Sequence, residues 1–72
     1  MEYSVKQVRK LADLTQVQMA NALGVSRDTY RRIEENPETA TIAQGKRIAE
    51  VTGFPFDVIF FRSDSTKSRI AI

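Results

Sequence analysis

Arg27, Asp28, Thr29, Arg31 and Arg32 follow Ser26 within two helical turns, and these are the side chains in the chain best suited to chemistry on another molecule. On one helix they would set guanidinium groups and a carboxylate along a common outer face. A guanidinium can donate two parallel hydrogen bonds to O6 and N7 of guanine, which makes Arg27 and Arg32 candidates for reading bases in a DNA major groove. A carboxylate only accepts. Asp28 would therefore accept from a cytosine amino group, aim Arg32 four residues on, or form an ordinary exposed pair with it. Thr29 offers a methyl to thymine or a hydroxyl to phosphate, and Arg31 can reach either Glu35 or the DNA backbone.

Other chemistries find little support. The chain has 72 residues, no cysteine and no histidine, so disulfides and the usual zinc sites are excluded. It has no glycine-rich phosphate loop, and the adjacent Glu34 and Glu35 would point apart on a helix. A chain this short can hardly enclose a substrate pocket, so no enzyme, cofactor or metal is expected. The formal charge of +2 is only mildly basic. Lys6, Arg9 and Lys10 read as solvated or as peripheral phosphate contacts. The opening Met1-Glu2-Tyr3 lacks a charged-then-apolar leader, and no apolar run approaches membrane-spanning length, so a soluble cytoplasmic protein is expected.

The positioning elements are marked by their start signals. Ser4-x-x-Gln7, Thr15-x-x-Gln18 and Thr41-x-x-Gln44 fit capping boxes, in which hydroxyl and glutamine satisfy orphan N–H groups reciprocally. Ser26 opens another helix with Asp28 in its first turn, and Pro55 suits the first position of a last one. Apolar stripes follow at Val5, Val8, Leu11 and Ala12, then at Val17, Met19, Ala20 and Leu23. Tyr30 and Ile33 would line the third helix, Ile42, Ile48, Ala49 and Val51 the fourth, and Phe56, Ile59 and Phe60 the fifth. Leu14 and Val25 would plug connections, while Gly24 and Gly53 end helices. The pattern predicts an all-α domain of five helices, at about 4–12, 16–23, 27–35, 42–52 and 55–61.

Residues 15–34, TQVQMANALGVSRDTYRRIE, gather these signals into one unit: a short helix, a turn at Gly24, and a second helix. Ala20 permits a close crossing, Gly24 supplies positive φ, Val25 buries at the corner and Ser26 caps the second helix. Leu14-Thr15-Gln16, Met19-Ala20, Leu23-Gly24-Val25-Ser26 and Ile33-Glu34 together resemble the phage repressor/Cro-type (Xre-like) helix-turn-helix family. Arg47-Ile48-Ala49, Gly53 and Asp57-Val58-Ile59-Phe60 resemble its fourth and fifth helices, so the resemblance spans roughly residues 5–61. Departures are Gly45, where a larger apolar residue is usual, Tyr30 in place of an aliphatic, and an acidic loop at Glu35-Asn36-Pro37-Glu38-Thr39. Gly45 would weaken the fourth helix by about 1 kcal/mol relative to Ala. The Tyr30 ring would fill the core while its hydroxyl reached the surface, towards a phosphate.

The resemblance implies a compact lambda-repressor-like DNA-binding fold over residues 1–62 that inserts the helix 27–35 into the major groove of double-stranded operator DNA. It assigns base readout to Arg27, Asp28 and Arg32, and phosphate or mixed contacts to Gln16, Ser26, Thr29, Tyr30 and Arg31. Relatives usually act as symmetric dimers and regulate transcription, commonly as repressors. Phe54, Phe56, Phe60 and Phe61 are either dimer-interface candidates or caps on a small core. The polar stretch after Phe61, residues 63–72, reads as a flexible tail or as an arm for a second subunit or a protein partner. The alternative function is a protein-binding module, such as an antitoxin or phage regulatory partner.

Overall fold

The computed structural model describes residues 3–60. Phe61 and the 63–72 tail or arm therefore lie outside the described residues, as do Met1 and Glu2. Five α-helices follow in order: α1 (Val5–Leu11), α2 (Gln16–Leu23), α3 (Arg27–Glu35), α4 (Ile42–Thr52) and α5 (Phe56–Phe60). A 3-10 turn at Pro37–Thr39 stiffens the acidic loop between α3 and α4. No described helix is long and apolar enough to cross a membrane.

Helix ends fall where the caps put them. All three capping boxes form, with Ser4, Thr15 and Thr41 accepting from the N–H three residues on while Gln7, Gln18 and Gln44 reach back. Pro55 stands just ahead of α5 instead of inside it, and its carbonyl accepts from the Val58 N–H at 3.1 Å. At the end of α2, Gly24 adopts φ 72°, Gly24 N–H bonds to Asn21 and Val25 N–H to Ala20. This paired closure satisfies two orphan carbonyls and turns the chain into α3. The same closure ends α1, but there Asp13 takes the left-handed conformation, at φ 62°.

Val5, Val8, Met19, Ala20, Tyr30, Ile33, Ile48 and Ile59 form the buried core, with Leu14, Leu23 and Val25 packed on it. Leu11, Val17 and Ile42, expected in the apolar stripes, are instead exposed at 61%, 51% and 63%. Each lies three residues from a buried one, at the margin of its helix's buried arc, and Leu11 and Ile42 stand at helix ends. Gly45 also has a packing reason. A Cβ there would lie 2.6 Å from Phe56 Cε1 and 3.3 Å from Phe60 Cε2. The missing side chain is thus the room into which α5 packs on α4. Arg47 adds a polar tie, donating from Nε to the Ala22 carbonyl at 3.2 Å near the end of α2.

Candidate nucleic-acid interface

Alternation along α3 separates an inner from an outer face. Tyr30 and Ile33 are buried, and the Glu34 side chain is 4% exposed. Arg27, Asp28, Arg31, Arg32 and Glu35 are exposed. Ser26 holds the start of the helix by accepting from the Thr29 N–H at 3.1 Å and donating to Thr29 Oγ1 at 3.0 Å. That second bond fixes the Thr29 hydroxyl at the cap. Arg31 pairs with Glu35 at 3.9 Å, one of its two expected partners, and both side chains stay largely exposed. The expected pair between Asp28 and Arg32 does not form among the described residues. Asp28 has one methylene fewer than a glutamate, so it reaches less far along the helix.

Beneath this face lies a charged cluster that joins three helices. Arg9 Nε donates to Glu34 Oε2 at 2.6 Å, and Arg9 Nη1 donates to the Leu14 carbonyl at 2.9 Å. Gln16 Nε2 donates to Glu34 Oε1 at 3.0 Å. Arg9 is 8% exposed, which corrects its reading as a solvated residue. A signal was available: Arg9 falls four residues after Val5, and Glu34 four after Tyr30, so each rides on an apolar face. Opposite charges on two core-facing stripes can be buried only as a pair.

The Tyr30 hydroxyl corrects a second expectation. It lies fully inside the fold, makes no hydrogen bond of good geometry, and cannot meet a phosphate. The ring is too deeply seated between helices for its tip to emerge. Burial first, and the neighbouring Glu34 carboxylate second, push the phenol far above its usual range. For Glu34, burial favours the neutral form, but interactions with Arg9, Tyr30 and Gln16 outweigh it and hold the carboxyl below the usual range. The same bond to Glu34, followed by the opposing effect of burial, leaves the Arg9 guanidinium more basic than usual.

Gln16 therefore has one amide hydrogen committed to Glu34, while its second N–H and its carbonyl have no partner among the described residues. On α5 and around it, Phe54 meets Tyr3 edge-on at 5.4 Å, and Phe56 stacks on Phe60 at 5.1 Å. All three phenylalanines are half-buried. Phe54 and Phe56 also line an open groove with Ala43, Lys46, Ala49 and Pro55.

Two helices crossed over a glycine turn, the second with a capped start and an uncovered basic face, correspond to a known family. The helix-turn-helix family model matches residues 5–59. The chain belongs to this helix-turn-helix family. It is the repressor/Cro (Xre-like) type that the motif around Gly24 resembled, a family of DNA-binding regulators. No curated protein and no solved structure matches the chain significantly.

Proposed function

We propose that this helix-turn-helix protein is a sequence-specific transcriptional repressor that acts by occupying its operator. It inserts α3 into the major groove and binds a palindromic site as a homodimer. The observation that carries the reading is the split of α3, with Tyr30, Ile33 and Glu34 inward and Arg27, Asp28, Arg31 and Arg32 outward. Arg27 and Arg32 donate to guanine, where each such pair discriminates by about 1–3 kcal/mol. Gln16, with its free amide N–H at the start of α2, meets phosphate, flanked by Ser26, Thr29 and Arg31.

One α3 spans only a few base pairs, which is little information against a genome. Two-fold pairing sets two such helices ~34 Å apart on successive turns of one DNA face. Phe54, Phe56 and Phe60 keep enough exposed ring to contribute to that pairing, in addition to capping the core.

Selection from random duplexes followed by footprinting tests the reading. The expected result is an inverted repeat protected on one face of the duplex. In titrations at matched salt, Arg32→Ala should weaken the selected site about 10- to 100-fold and random DNA far less. Absence of any preferred sequence over genomic competitor would overturn the proposal.

A further inference from the structure

An ionised carboxylate only accepts hydrogen bonds, so whatever faces Glu34 must be a donor. One of its oxygens takes Arg9 Nε at 2.6 Å and the other takes Gln16 Nε2 at 3.0 Å. The Glu34 side chain is 4% exposed, so water is no ready substitute for either donor. A glutamine amide in water presents nitrogen or oxygen alike. Beside a buried carboxylate the two ends are not equivalent, because oxygen turned inward would set acceptor against acceptor. The Gln16 amide, half-buried at the first position of α2, is therefore held with its nitrogen towards Glu34 and its second N–H uncommitted. Further donors stand beside it. The capping box engages the N–H groups of Thr15 and Gln18 and leaves those of Gln16 and Val17 without a partner among the described residues. Of the free donors at the start of α2, the side-chain N–H is the one whose direction depends on another helix.

We propose that Glu34 is a positioning residue for DNA binding: it holds the Gln16 amide nitrogen so that one N–H meets the carboxylate and the other donates to a backbone phosphate. The inference rests on the contact between Gln16 and phosphate proposed above. It gives a buried acid, on the inward side of the helix that enters the groove, a share in binding without touching DNA. Arg9 is the necessary complement, because its guanidinium offsets a negative charge that would otherwise oppose the phosphate.

The test uses the full-length protein and the duplex obtained by selection, with each phosphate replaced in turn by an uncharged methylphosphonate. At one position in each half-site the wild type should lose about tenfold in affinity and Gln16→Ala no more than about threefold, which identifies the Gln16 phosphate. Glu34→Gln should match Gln16→Ala at that position while keeping the wild-type order of preference among base pairs. A second variant, Arg9→Met with Glu34→Leu, should do the same. Exchange of a buried ion pair for apolar residues is often neutral for stability, so this variant answers where Glu34→Gln fails to fold. A purely structural role would instead lower affinity for every duplex alike and leave the tenfold sensitivity in place, and that result overturns the inference. Equal sensitivity of wild type and Gln16→Ala at every phosphate removes the phosphate contact itself, and the inference with it. NMR of the free protein adds a reading that needs no DNA. One Gln16 side-chain amide proton should be protected from exchange with water in the wild type and neither in the Glu34 variants; two freely exchanging protons in the wild type would also overturn the assignment.

Discussion

Glu34 is the residue on which most of the fold's polar interior converges. Its two oxygens take Arg9 and Gln16, and it is almost wholly withdrawn from water. Removing one member of such a pair strands the other charge, which typically costs about 3–5 kcal/mol. Glu34→Gln keeps the shape and should cost about 2–4 kcal/mol by urea denaturation at pH 7, a large share of what so small a domain possesses. The pH dependence follows from the lowered carboxyl. The contribution is fully present above the unfolded value of about 4.3 and is lost as pH falls through the lower folded value. Wild-type urea midpoints should therefore drop below about pH 4 more steeply than those of Glu34→Gln; parallel profiles would contradict this. Tyr30→Phe removes a buried hydroxyl with no well-formed bond but also an interaction that helps to keep Glu34 ionised, so the two effects should nearly offset and change stability by no more than about 1 kcal/mol in the same assay.

At the scale of elements, two backbone positions decide how helices meet. Asp13 closes α1 in a left-handed conformation that costs an L-residue about 1 kcal/mol, less for Asp than for most, and Gly24 does the same work without a Cβ. Asp13→Gly should raise the melting temperature by a few degrees, the shift expected from roughly 0.5–1 kcal/mol in a domain of this size. Gly45 carries the reverse lesson. Alanine would improve helix propensity by about 1 kcal/mol, yet its Cβ would stand 2.6 Å from Phe56, whose ring is stacked on Phe60. Overpacking of about 1–3 kcal/mol should win. Gly45→Ala should destabilise by about 1 kcal/mol, with Gly45→Leu worse, in denaturant titrations.

For the described residues as a whole, the arrangement is a helical platform on which α3 presents an exposed basic face. The Arg9–Glu34–Gln16 cluster ties α1, α2 and α3 together, and Arg47 ties α4 to the end of α2. The proposed phosphate contact at Gln16 and the proposed base contacts on α3 are thus held at fixed separation, as recognition of a stiff duplex requires. Assembly belongs to this scale too. Sedimentation at micromolar concentration should give two subunits per selected operator; one subunit per site would defeat the homodimer proposal.

Much of what near neighbours set along the chain was legible in the residues alone, though the left-handed Asp13 and the exposure of Leu11, Val17 and Ile42 were not. The helix starts at Ser4, Thr15, Ser26 and Thr41, the turn at Gly24 and the outward face of α3 depend on hydrogen bonds reaching three residues and on a 100° period. Those interactions are complete within one segment, so residue type and spacing suffice to find them. Arg9 and Glu34 are 25 positions apart, and Gln16 and Glu34 are 18 apart. Their meeting, the withdrawal of the Tyr30 hydroxyl, and the fit of Phe56 over Gly45 depend on the angles at which helices cross. These emerge in three dimensions and not before, because packing chooses among partners that periodicity leaves equivalent.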